Sequence, residues 1–522
     1  MSTTLSQVGL TLLVILVGPI LAQARELTPT TEPIAHQGIA GTLLLGSASI
    51  SSATVERFVA AAGKEQARMV IVTSRITNPT VVVLREQLQA AKVASLNIVA
   101  PAAAVEHADV KAATGMWLIH VDKVSPELNV RLQTHLDAGH TLAISGSAAE
   151  QVGVGGWNLL PGGIVKLEPT GQDHSSAMFK QLTQSPGTFG MLIESSNNDG
   201  PTVIVQGREI RQLGTGRVRF VLAASKTRPV RTEALNPQGV EDLTLWRRAA
   251  IARTQTPFPV EKPAEPIVKH GSLVIVGGGG MPDDVLKKFI ELAGGLDAPI
   301  VVLPTSMPDP LPADSGAAFF KRIGATRVTT ITARKKADVE TVANLAALRE
   351  AKAIWFGGGR QWRFVDAYEG TAARPLIDDV LRRGGVIGGS SAGATIQGDY
   401  LVRGSPHGPQ FMMCEGYERG FCFLPGVAID QHFAQRKRFA DMTQLMKAYP
   451  QYLGIGLDEA TAIVVQQQVA TVMGRGEVHL YDRRLPVPRE GNDYQSFKAG
   501  TRLDLVTRKA LPPTGTADTA TK

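Results

Sequence analysis

Three side chains that could together activate a hydroxyl occur in order along the second half of this chain. Ser391 lies in G-x-S-x-G, Gly389-Ser390-Ser391-Ala392-Gly393, directly after the apolar run Val386-Ile387. A serine at a tight strand-to-helix turn projects its hydroxyl out of the backbone, and flanking glycines tolerate the strained dihedrals that such a turn needs. The helix start behind it offers unpaired N–H groups, that of Ala392 first, to a developing oxyanion. His432 follows the apolar stretch LPGVAIDQ, and Asp458-Glu459 follow YLGIGL. A serine needs a base to take its proton, and the base needs an acid to fix its tautomer and stabilise its cation. His432 and Glu459 fit those roles. The order Ser–His–acid differs from the Ser–acid–His order of α/β-hydrolases and argues against an ordinary esterase. A fourth piece is IWFGGGRQWR, where Gly358 and Gly359 can turn backbone N–H groups toward an oxyanion and Gln361 can hydrogen-bond substrate.

Short apolar strands alternating with helical patterns must position these residues, and the pattern occurs twice. GTLLLGSAS, a helix over 52–62 and MVIVTS return about 230 residues later as GSLVIVGGGG, a helix over 282–293 and IVVLPTS. MWLIHVDK matches IWFGGGRQ, and LDAGHTLAISGSAAE matches LRRGGVIGGSSAGAT. At a constant offset of 260, Thr202–Phe220 matches Ala462–Leu480; each reads as a β-hairpin with a G-x-G turn. This is an internal duplication. It predicts an α/β fold of two tandem three-layer αβα domains with mostly parallel sheets, in which strand C-terminal ends converge on the functional crevice. The expected divisions are 37–252, a proline-rich linker over 253–270, a second domain over 271–509 and a disordered tail over 510–522.

The second half does not share its chemistry with the first. Opposite Gly357-Gly358-Gly359 stand Ile119-His120-Val121, and opposite Gln361 stands Lys123. Opposite Ser391 an ungapped match gives Gly146, and one inserted residue gives Ser147. Asp199 falls opposite Glu459 at the offset of 260, and His174 has poor spacing for a counterpart of His432. The first half reads as a degenerate, non-catalytic copy.

On these residues the second half resembles the serine peptidase family of cyanophycinases and aspartyl dipeptidases, relatives of class I glutamine amidotransferases. The matching elements are the GGGG turn, Gly358-Gly359-Arg360-Gln361, G-x-S-A-G-A, D-Q-H-F followed by R-x-R, and G-I-G-x-D-E. The resemblance implies a flavodoxin-like sheet, with Ser391 as nucleophile, His432 as general base and Glu459 as its orienting acid. It makes Gln361, Asp430, Gln431, Arg436 and Arg438 substrate contacts, and D-Q-H-F points to the cyanophycinase branch. The implied reaction is hydrolysis of β-aspartyl-arginine links in cyanophycin, releasing dipeptides without metal or organic cofactor. Family members tend to be homodimers, which makes the duplication a candidate pseudo-dimer within one chain. One departure stands out: where the family tends to repeat arginine after R-x-R, this chain has Asp441. The rival readings are an exported aspartyl dipeptidase or other β-aspartyl isopeptidase, and a peptide-binding pseudoenzyme.

Composition narrows the remaining classes. The chain has 522 residues, 43% hydrophobic and 19% charged, with a net charge of +7 spread along it and only 5% aromatic residues. Neither long basic runs nor stacking platforms for nucleic acid are evident. Gly277 to Gly280 lacks the G-x-G-x-x-G and the later acidic residue of a dinucleotide loop. Residues 1–24 read as an export signal, with an apolar run from Leu10 to Ala22 and the cleavage pattern Ala22-Gln23-Ala24, so the expected location is periplasmic or extracellular with no membrane attachment after cleavage. Cys414 and Cys422 could form a small-loop disulfide or remain two thiols. No His or Cys pair nearby has the spacing of a metal site.

Overall fold

The computed structural model describes residues 36–512 apart from positions 48, 170–174, 196–199, 309–310, 312–315 and 489. Residues 1–24, expected to be an export signal, and His174, Asp199 and most of the C-terminal tail therefore lie outside the described residues.

Two large mixed sheets dominate the fold, one in each half. In the first, neighbouring strands run Glu241–Asp242, Glu209–Leu213, Thr202–Gly207, Ile39–Gly46, Thr141–Ser145, Gly115–Ile119, Arg68–Val72 and Ser95–Val99. In the second they run Arg502–Asp504, Val469–Gly474, Thr461–Gln467, Val268–Val276, Val386–Ser390, Ala353–Phe356, Ile300–Leu303 and Val328–Thr330, with Lys509–Ala510 added outside Arg502–Asp504. The two orders correspond strand for strand. In each, the last five strands are mutually parallel and the others antiparallel. Both faces of these sheets are buried. Leu273 and Ile275 enter one core and Val274 and Val276 another, as near-continuous apolar strands under helices on both sides require. The first half repeats this with Leu43 and Leu45 against Leu44.

Helix ends also correspond between the halves. Ser52–Ala62 and Asp283–Ala293 each stop at a glycine in the left-handed region, Gly63 at φ 115 and Gly294 at φ 104. Asp283 and Asp284 complement the positive end of the second helix, while Val285, Leu286, Phe289, Ile290 and Ala293 form its buried stripe.

Each half also carries a smaller four-stranded sheet: Gly163–Pro169, Phe189–Ser195, Arg217–Leu222 and Arg231–Ala234 in the first, Val427–Gln431, Leu453–Leu457, Glu477–Asp482 and Gln495–Lys498 in the second. This corrects the hairpin expected around each G-x-G. The hairpin turns fall at Arg208 and Gln468, and after Gly214–Gly216 and Gly474–Gly476 the chain leaves the large sheet for the small one.

The halves meet through charges of opposite sign. Arg208, Arg228, Arg231, Arg248 and Arg253, from the first half and the linker, face Asp366, Glu369, Glu415 and Glu418 of the second. Arg253 Nε to Glu415 Oε1 is 2.7 Å, and Arg248 pairs with Glu369. The linker is packed down as well, since Phe258 is buried among Tyr400, Tyr452 and Met412 of the second half. Cys414 and Cys422 are not joined in a disulfide, and burial pushes the Cys414 thiol up to about 12. No helix among the described residues is long and apolar enough to cross a membrane.

Candidate active site

The strand Val386–Ser390 lies between Val268–Val276 and Ala353–Phe356 near the middle of the second large sheet. At its end Ser391 adopts φ 57, ψ −114, and the helix Ala392–Thr395 begins on the next residue. That positive φ is strained for a residue with a Cβ. Its amide is fixed by the Val276 carbonyl at 3.0 Å. A side chain at Gly393 would meet the Phe356 carbonyl at 2.1 Å, so the turn closes only with glycine there.

His432 and Glu459 come from the smaller sheet, not from the large one that ends at Ser391. They follow the adjacent parallel strands Val427–Gln431 and Leu453–Leu457. The expectation of one sheet's strand ends converging is corrected here: the three residues bridge two sheets. The bridge is the Gly277–Gly280 turn. The His432 amide donates to the Gly277 carbonyl at 2.8 Å, and that of Ala460 to Gly278 at 2.7 Å. A Cβ on Gly278 would fall 2.4 Å from the His432 ring, and one on Gly279 2.3 Å from the Glu459 carboxylate. The glycine run is the seat of the imidazole and the carboxylate.

Ser391 Oγ lies 2.9 Å from His432 Nε2, and His432 Nδ1 lies 2.6 Å from Glu459 Oε1. An ionised carboxylate only accepts, so this contact puts the ring proton on Nδ1 and leaves Nε2 free to accept from the serine hydroxyl. Burial lowers the His432 pKa below its ordinary value; Glu459 opposes this, and Arg436 and Arg438 add to it. Neighbouring Asp458 has a different task. It accepts from the Ala434 and Glu477 amides at 3.0 and 3.1 Å and contacts His479 at 3.2 Å, which fastens the ends of both strands.

Opposite the serine, a Cβ on Gly358 would sit 3.4 Å from Ser391 Cβ. The buried Ser306 hydroxyl donates to the carbonyls of Gly357 and Gly358 at 3.0 and 2.7 Å. In a trans peptide this turns the Gly359 N–H away from Ser306. Among the described residues, the N–H groups of Gly358, Gly359 and Ala392 make no hydrogen bond to the protein. No group of three or more His, Cys, Asp or Glu among them is arranged to hold a metal ion.

Peptidase family S51 matches residues 273–473, a span containing Ser391, His432, Glu459 and the glycine turns around them. The chain is 32% identical over 241 residues to a cyanophycinase of Synechococcus elongatus, covering 43% of this chain and 73% of the relative. The chain belongs to peptidase family S51. A cyanophycinase of Geminocystis herdmanii is 29% identical over 221 residues, 41% of this chain and 81% of its own. Among solved structures, a peptidase from an acI-B1 actinobacterium is 23% identical, with a TM-score of 0.36 over 45% of this chain and 97% of that one.

Within this serine-type S51 peptidase the expected substrate contacts divide. Arg436 is exposed beside His432, and the Gln431 side chain reaches within 3.5 Å of Ser391 Oγ. Three others are corrected. Asp430 has no exposed surface and is held by Arg403 at 3.0 Å and Arg438 at 2.7 Å. Arg438 is itself buried, donating also to the Gln431 carbonyl at 2.8 Å. Gln361 is buried, with its Nε2 donating to the Val402 carbonyl at 2.7 Å. Alternation along a strand puts Asp430 on the inner face, where a carboxylate needs cations. Arg403, which the sequence did not single out, also pairs with Asp441 at 2.6 Å. The anion at 441 thus completes a set of two cations and two anions around Asp430.

Strand register also identifies the counterparts in the first half. Gly46 and Val276 pair with Ser145 and Ser390, so Gly146, at φ 77, takes the place of Ser391. Val218 and Val478, 260 apart, pair with Ile193 and Leu457, which pair in turn with Leu167 and Gln431. Glu168 therefore stands where His432 does, and Ser195 where Glu459 does. This replaces Asp199 as the counterpart, because the loop before Thr202 is longer than the one before Thr461.

Proposed function

We propose that this S51 peptidase is an exported exopeptidase that hydrolyses the β-aspartyl-arginine links of cyanophycin to Asp-Arg dipeptides. Ser391 Oγ attacks the scissile carbonyl while His432 Nε2 takes its proton, and Glu459 stabilises the imidazolium. The N–H groups of Gly358, Gly359 and Ala392 receive the oxyanion. His432 returns the proton to the departing amine, leaving an acyl ester on Ser391, and then activates the water that cleaves it. Arg436 binds a substrate carboxylate. The hydrogen-bonded chain from Ser391 through His432 to Glu459 carries this reading. The relatives called cyanophycinase support the substrate, and the sequence of residues 1–24 supports export. The matching strand orders support reading the N-terminal half as a second, non-catalytic copy.

The test is release of soluble Asp-Arg from insoluble cyanophycin by the mature protein beside Ser391→Ala. Release by the wild type alone supports substrate and nucleophile together. Absence of release, with hydrolysis of other β-aspartyl peptides, would reassign the substrate.

A further inference from the structure

We infer that Arg208, on the N-terminal half, is a positioning residue for the peptidase site of the C-terminal half; this rests on the catalytic roles proposed above. Arg208 occupies the turn between Thr202–Gly207 and Glu209–Leu213. The same turn in the other half holds Gln468 at the offset of 260. Both side chains bind the acid of the short strand beside them: Arg208 Nε lies 2.7 Å from Asp242 Oδ2, and Gln468 Nε2 lies 3.0 Å from Asp504 Oδ2. That local task needs only an amide. The guanidinium holds Asp242 with Nη2 as well, at 3.0 Å from Oδ1, and still has donors and a face that reach across the interface. Nη1 donates to Asp366 Oδ2 at 2.7 Å, Nη2 donates to the Tyr417 hydroxyl at 3.0 Å, and the group lies 4.5 Å over the Trp362 ring.

Trp362 and Asp366 lie one turn apart on the helix Trp362–Tyr368. Seven residues are too few to hold a helix in place by its own hydrogen bonds. The buried Trp362 Nε1 has no hydrogen-bond partner, so the indole is held by packing, with Arg208 on it and Arg363 at 5.2 Å. Asp366 is buried, and the Tyr417 hydroxyl that Arg208 binds donates to its two oxygens at 2.9 and 3.0 Å. Gln361 immediately precedes this helix, and in the Gly358–Gln361 turn Gly358 faces Ser391. Arg208 thereby fixes the base of the turn whose N–H groups receive the oxyanion. Such a contact matters most when the oxyanion forms, so its loss falls on kcat rather than on KM.

The test is Arg208→Gln in the full chain, which keeps an amide for Asp242 and removes the reach to Asp366. We expect kcat to fall at least about tenfold with KM changed less than about twofold, because small misplacements at a reacting centre cost this much. The rate of Ser391 labelling by a fluorophosphonate should fall in proportion. Asp366→Asn should produce a similar loss, and the double variant should be no worse than the larger single one. Arg211→Gln, on the strand that follows this turn and paired with Glu209, is the control with unchanged kcat. A lowered melting temperature with kcat and labelling unchanged would make Arg208 a fastener only and overturn the inference. If Ser391 in the wild type failed to label, the catalytic reading would fall and the inference with it.

Discussion

The two halves of this peptidase share strand order, strand direction and the positive-φ turn after the central strand, yet among the described residues only the second brings a serine, a histidine and a glutamate into one hydrogen-bonded chain. At that turn Gly146 replaces Ser391 with little change in φ. At the position of His432 the first half has Glu168, fully buried and bound by Arg219 at 2.7 Å. The supporting pair survives in altered form: Arg219 with Glu194 at 2.6 Å stands where His479 meets Asp458 at 3.2 Å. What the halves have in common is a charged pair that holds strand ends together, and what differs is the set of residues proposed above to act on a substrate. A fold can keep the turn that strains a nucleophile without keeping the nucleophile.

The largest expected effect tests this directly. Ser391→Ala should lower kcat by at least about ten-thousand-fold. Gly146→Ser, which restores a serine at the other turn, should give no second reactive serine, because Glu168 and Ser195 stand in the other positions. Competitive labelling of the two variants by a serine-directed probe checks both. Glu459→Gln should cost roughly a thousandfold or more in kcat by losing the tautomer and the imidazolium's counter-ion.

The pH profile sharpens the same contrast. His432 must be neutral to accept the serine proton, and its pKa is lowered chiefly by burial. Activity should therefore rise with pH through a midpoint below the ordinary 6.5 and be level at neutrality. Glu459 pulls this pKa upward, so in Glu459→Gln the acid limb of kcat/KM should move to still lower pH. A midpoint above the ordinary value in the wild type would contradict the burial argument.

Two register-matched charges give a smaller and purely structural comparison. Asp430→Ala leaves Arg403 and Arg438 buried without their shared carboxylate and should cost about 3–5 kcal/mol in urea unfolding. Its counterpart Lys166, a partly exposed residue paired with Glu150, should cost about 0–1 kcal/mol when replaced by Ala. The smallest effect on stability belongs to Arg436→Ala, which should leave the melting temperature unchanged and raise KM several-fold if this exposed arginine binds a substrate carboxylate.

Much of this was legible in the sequence, and the exceptions have physical causes. The two α/β halves, the mostly parallel sheets and the contacts among Ser391, His432 and Glu459 follow from patterns that act over a few residues: apolar strands, glycine turns and a residue at each strand end. The roles of Asp430, Arg438 and Gln361 did not follow, because a polar residue beside a reactive one reads as a substrate contact until its inward direction is known. The placement of His432 and Glu459 on a second sheet was hidden too, since a chain that changes sheets at G-x-G looks locally like a hairpin. Asp199 misled because a constant offset fails where one loop is longer. Arg208 gave no signal at all: its partners in the other half lie 154 or more positions away, at Trp362, Asp366 and Tyr417.

The claim that one half alone carries the chemistry is tested most directly by the adduct formed when the full chain reacts with a fluorophosphonate, mapped by peptide mass spectrometry. One adduct per chain is expected, on Ser391, abolished by Ser391→Ala and by prior protonation of His432 at low pH. An adduct on Ser147 or elsewhere in the first half, or none on Ser391 under conditions of hydrolysis, would contradict it.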